Sequence, residues 1–123
     1  GSIVLSGNTL DFTSAGRVLV VDHPGLSVSG TGLFRTAGEL RITTNGVVTV
    51  TGGGTLTANG SILPASVGTI TGTGNVNLNG TTVNLTGLTY TGTGPLAFTG
   101  LGPQTVTPPG TGTLPGVTVA GTG

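Results

Sequence analysis

At 123 residues the chain has room for one domain, and only 5% of it is charged, with no lysine, where a soluble domain ordinarily carries about a quarter. Affinity for phosphate rests on Lys and Arg, so no nucleic-acid partner, polybasic membrane patch or membrane insertion is expected. Without cysteine there is no disulfide framework, and no run of 18 apolar residues offers a transmembrane helix.

Glycine and proline are abundant, but net charge is zero and Val, Leu and Thr recur throughout, which favours order over disorder. From residue 5 the chain repeats itself. The first copy, LSGNTLDFTSAG (5–16), contains Asp11. Arg17 follows, and then Asp22-His23-Pro24-Gly25, which reads as a turn punctuated by Pro and Gly rather than as a metal site. The second copy is VSGTGLFRTAG (28–38). Glu39 and Arg41 flank Leu40 just after it and are expected to share an outward face as an ion pair of modest worth. No side chain is charged beyond Arg41. The next copies are VTGGGTLTANG (50–60), ITGTGNVNLNG (70–80) and YTGTGPLAFTG (90–100), and GTGTLPGVTVAG (110–121) is the last. The four central copies start 22, 20 and 20 residues apart, each with an apolar residue, Ser or Thr, and Gly, and each ends on Gly.

Within each copy short runs alternate apolar and polar residues, the period of a strand, and no window has the 3.6-residue period of a helix. Glycine clusters such as Gly52–Gly54, Gly72–Gly74 and Gly92–Gly94 separate the runs. They read as corners, since no strand-to-helix transition follows them as a nucleotide loop would require. A β repeat of this length predicts an all-β fold: a parallel β-solenoid, or β-helix, of about six coils of 20–23 residues. The right-handed form is expected from the handedness of parallel crossovers. An antiparallel sandwich is the alternative, but it leaves the constant repeat spacing without a cause. The chain is read as one solenoid domain, 1–123, a segment of a longer or polymerising protein.

Aligning the copies stacks Val28, Val50, Ile70 and Tyr90 in one inward column and Phe34, Leu56, Val76 and Leu96 in another. The residues flanking the first column then point outward. They form three hydroxyl ranks: Ser27, Thr49, Thr69 and Thr89; Ser29, Thr51, Thr71, Thr91 and Thr111; Thr31, Thr73, Thr93 and Thr113. Successive coils would place these hydroxyls ~4.8 Å apart along the rod and ~7 Å apart across it.

The stretches ITGTGNVNLNGTTVNLTG (70–87) and FTGLGPQTVTPPGTGTLPGVTV (98–119) resemble the Thr/Gly-rich β-solenoid coils of large bacterial surface adhesins and extracellular filament proteins. The resemblance implies an extracellular or cell-surface location and a structural or adhesive role, and it transfers no functional residue. The expectation is therefore a non-catalytic stalk or fibre segment with no cofactor. The outward T-x-T array also resembles the ice-binding faces of antifreeze solenoids, which makes an ice-binding module the alternative. Exposed strands favour threonine in any case, because cross-strand threonines stabilise sheets. A glycan-binding face is a third reading, weakened by the shortage of aromatic residues. The sequons at Asn59, Asn79 and Asn84 arise easily in a Thr-rich chain. Every solenoid ends in open ladder edges. The C-terminal coil lacks charge, so its partner is expected to be another coil, in the continuing chain or a neighbouring copy. The charges of the N-terminal coils are expected to protect that end in part.

Overall fold

The structure is a computed structural model that describes residues 2–100, 102–110 and 114–119. It is all β: three parallel walls formed by a chain that winds through one strand of each wall in turn. The first wall holds β1 (Ile3–Ser6), β4 (Leu26–Ser29), β7 (Val47–Val50), β9 (Thr69–Thr71) and β12 (Thr89–Tyr90), in that order. The second holds β2 (Thr9–Phe12), β5 (Leu33–Thr36), β8 (Thr55–Ala58), β10 (Asn75–Leu78), β13 (Leu96–Phe98) and β15 (Val117–Val119). The third is split into β3 (Leu19–Val21) with β6 (Leu40–Ile42) and β11 (Thr82–Asn84) with β14 (Thr105–Thr107). All of these pairings are parallel, so the solenoid expectation holds, with about five turns rather than six. The sixth repeat contributes β15 to the second wall.

The second wall follows the aligned repeat throughout. Leu10, Phe34, Leu56, Val76, Leu96 and Val117 are successive register partners. The central members of that column are buried, as are the inward residues one step further along the strands, Ala58, Leu78 and Phe98. Thr36 occupies the same inward position of the second coil and is just 1% exposed. Its hydroxyl is the buried side-chain polar atom without a hydrogen-bond partner among the described residues.

The first wall corrects the alignment. Val28 faces Val50 as expected, but Val48, not Val50, faces Ile70, which in turn faces Tyr90. The expected column Val28, Val50, Ile70, Tyr90 is thus drawn from two real ones. One runs Ile3, Leu26, Val48, Ile70, Tyr90; the other runs Leu5, Val28, Val50 and stops. The cause is a corner two residues longer in the third coil: Thr51, Gly52 and Gly53 lie between Val50 and Gly54, whereas Thr73 alone lies between Gly72 and Gly74. The longer corner is closed by Gly52 at φ +56, a conformation L side chains rarely adopt. One coil on, Gly74 leaves the space that the Val50 side chain fills, since a Cβ there would lie 2.5 Å from Val50 Cγ1.

On the third wall a proline-containing stretch, Leu63-Pro64-Ala65, follows Ile62, whose isolated bridge to Val83 joins the two halves. Ser66 repairs the ladder. Its buried Oγ accepts a 2.9 Å hydrogen bond from Ile42 N–H, in place of a backbone carbonyl, while Val67 and Gly68 N–H both donate to Ile42 C=O. A buried Ile42 amide left unpaired here would forfeit about 1–3 kcal/mol.

Tyr90 ends its column almost fully buried, and burial pushes its phenol up to about 12. A folded-state value above the unfolded one favours the protonated phenol in the fold. That stabilisation is complete below about pH 10 and disappears as pH rises towards 12. Tyr90 is the chain's only tyrosine, so an ultraviolet phenolate titration reads it alone. The expected midpoint is about 12 in the native protein, returning to about 10 in denaturant. The Tyr90→Phe variant should lose less stability than the parent across this interval, by about 2 kcal/mol.

Candidate functional site

The first wall turns a threonine patch outward, on the face opposite the buried columns. Thr69 lies beside Thr89, and Thr49 beside Thr71, in register. Thr91 continues the second rank, its N–H donating to Ile70 C=O at 2.9 Å. Val47, not a threonine, precedes Thr69 in the first rank. The structure thus brings together Thr49, Thr69, Thr71, Thr89 and Thr91 but breaks the expected three ranks. Thr49 moves from beside Thr69 to beside Thr71, because of the two-residue corner. Thr51 leaves the wall at that corner, beyond the end of β7. Thr73 and Thr93 are exposed corner residues, where Thr93 N–H donates to Gly72 C=O. Thr111 and Thr113 lie outside the described residues. The aligned patch spans three coils, ~10 Å along the axis, and two ranks ~7 Å apart.

Four of the six charged residues form two ion pairs on the first two coils. Arg35 donates to Asp11 at 2.5 Å across β2 and β5, and the guanidinium holds the Asp11 carboxyl below its ordinary value. Arg41 donates to Glu39 through Nε and Nη2, at 3.1 and 2.9 Å, on one outward face as expected. His23 Nδ1 accepts from Gly25 N–H within the expected turn, while Asp22 accepts from Thr43 Oγ1 and Asn45 Nδ2 of the next coil. Among the described residues no group of three His, Asp or Glu side chains is arranged to hold a metal ion, and no helix is long and apolar enough to cross a membrane.

A polar feature that the sequence reading passed over lies at the corner after the second wall. Asn79 Nδ2 donates to Asn59 Oδ1 at 3.0 Å, while Asn79 Oδ1 accepts from Thr99 N–H and Oγ1 at 3.2 and 2.5 Å. Three successive coils are thereby joined by side chains as well as by backbone, as in the amide ladders of stacked β structures. Gln104 holds the adjoining corner: its amide donates to Leu78 and Gly80 C=O and accepts from Gly100 N–H. The signal was present in the repeat. Asn-Gly ends the copies at 50–60 and 70–80, twenty residues apart, and Thr-Gly ends the copy at 90–100. Read as sequons, Asn59 and Asn79 gave no structural information; read as a column, they give the ladder.

Compared with protein-family models, with curated proteins and with solved structures, the chain matches none.

The Asn79→Ala variant removes three hydrogen bonds from one corner and should lower unfolding free energy by about 2 kcal/mol. Asn75→Ala, at the start of the preceding strand β10 and without a side-chain hydrogen bond among the described residues, should change it by less than about 0.5 kcal/mol. Urea unfolding of the two variants against the parent checks the difference.

Proposed function

We propose that the chain is a non-catalytic structural segment of an extracellular or cell-surface fibre or stalk, extended by stacking further coils on its ends. The carrying observation is that the end coils offer what an interior coil offers to its neighbour. Among the described residues the outer edges of β1, β2 and β3 pair with no strand, and Ile3, Val4, Phe12, Val18 and Val20 are exposed on the first coil. At the other end Val106, Val117 and Val119 are exposed, the last at 78%. Open parallel edges and bare aliphatic side chains recruit another strand of matching register. A head-to-tail contact of this kind joins two different surfaces and so extends without closing. The outward residues are mostly hydroxyls and amides, which suits a solvated spacer. The resemblance to adhesin and filament coils supports the same reading.

Small-angle scattering and sedimentation over a concentration series test the stacking. The expected result is a rod of constant cross-section that lengthens with concentration. A particle that stays one chain long throughout, or one that thickens instead of lengthening, overturns it.

The threonine patch favours a second reading, an ice-binding module. Thermal hysteresis above buffer, abolished by Thr71→Tyr at the centre of the patch, is the expected result on that reading. Hysteresis equal to buffer removes it.

A further inference from the structure

We propose that the corner between β2 and β3 is a binding site for a small hydroxylated carboxylate, an activity separate from the structural role. A cleft of about 320 Å³ opens there, between residues 13–18 and the second coil. Phe12, Thr13, Ser14, Arg17 and Thr36 contribute to its lining.

Three observations point to a ligand. Arg17 is the one arginine with no carboxylate within ion-pair distance among the described residues, whereas Arg35 and Arg41 each have a partner. Its backbone is nevertheless fixed. The Arg17 carbonyl rests on Gly38, where a Cβ would lie 2.0 Å from it, and Ala37 N–H ties the start of the segment to Phe12 C=O at 2.8 Å. A guanidinium on a seated backbone, held free of carboxylates, is a ready fork for an anion. The second observation is Thr36. Its hydroxyl is buried and unpartnered in a column whose other members are apolar. Valine has the same shape and would avoid that penalty, so core packing gives no reason for the oxygen. A ligand hydroxyl reaching the cleft floor supplies one. The third observation is charge. Asp11 at the rim is neutralised by Arg35, which leaves Arg17 as the unbalanced charge of the cleft. The occupant is therefore an anion. Thr13, Ser14 and Thr36 offer hydroxyls. A carboxylate on a short hydroxylated carbon chain meets all of these.

The test is a titration of the isotope-labelled chain with gluconate, followed by amide chemical shifts, with glucose as the neutral counterpart and sulfate as a plain anion. The expected result is saturable shifts confined to residues 12–19 and 36–38 with gluconate, weaker binding of sulfate and none of glucose. Arg17→Gln should weaken gluconate by at least about tenfold, the loss of one charge-assisted pair. Thr36→Val should weaken it several-fold while leaving the rest of the spectrum in place. Arg41→Gln, on a different wall, should leave it unchanged. Shifts that fail to saturate at tens of millimolar, equal binding of glucose, or gluconate binding that survives Arg17→Gln overturns the proposal. Sulfate binding as tight as gluconate also overturns it, by reducing the cleft to a site for an adventitious ion only.

Discussion

The distance between successive coils is the constraint on which everything else in this molecule depends. Parallel strands bond across ~4.8 Å, and at the corners, where the chain turns between walls, one backbone must lie directly on another at that spacing. From the second coil to the fifth, two corners leave no volume for a side chain. A Cβ on Gly60 would fall 2.0 Å from Gly38 C=O, and one on Gly94 would fall 2.2 Å from Gly74 C=O. At both positions glycine is required by proximity, whether or not its φ is unusual. Given those contacts, the walls come into bonding range, the alternating Val, Leu and Ile side chains meet inside, and hydroxyls and amides are left outside.

The same constraint explains which parts of the structure could be read from the sequence. The two glycine columns, at 32, 54, 74, 94 and at 38, 60, 80, 100, are always six residues apart, and the second wall lies between them. Its register could be counted directly, and Phe34, Leu56, Val76 and Leu96 fell where the alignment put them. The first wall lies in the intervals from Gly38 to Gly54, Gly60 to Gly74 and Gly80 to Gly94, which are 16, 14 and 14 residues long. An interval that changes by two can shed its residues at any of several places, and spacing alone does not say which. A slip of two residues also keeps every side chain on its own face, so the alternating pattern gives no warning. The threonine ranks, read from this wall, inherited the error, although Thr69 with Thr89 and Thr71 with Thr91 survived it.

Polar side chains carry the ladder where the backbone cannot. Ser66 stands in for a carbonyl beside the Pro64 interruption, Gln104 spans a corner from both sides of its amide, and Asn59, Asn79 and Thr99 join three coils. Such residues look ordinary one at a time, as a serine after an alanine or an asparagine before a glycine. Asn59 and Asn79 share a column and were legible in principle. Ser66 and Gln104 each occur once, and their roles follow only from which amide or carbonyl the fold leaves without a partner.

The two-residue step at Gly52–Gly53 bears on how a chain of this kind lengthens over evolutionary time. A duplicated coil is accepted at once only if the coils above and below it have the same circumference, because both of its surfaces must fit. The second and third coils are 22 residues apart along the first two walls, and from the third to the fifth coil the second wall repeats at 20. Copies of a coil can therefore be inserted within either zone without disturbing the register. A copy carried across the boundary brings two residues too many or too few for its new neighbours. The glycine-rich corner absorbs that difference once, at the junction, and so allows two independently grown runs of coils to be spliced into one rod.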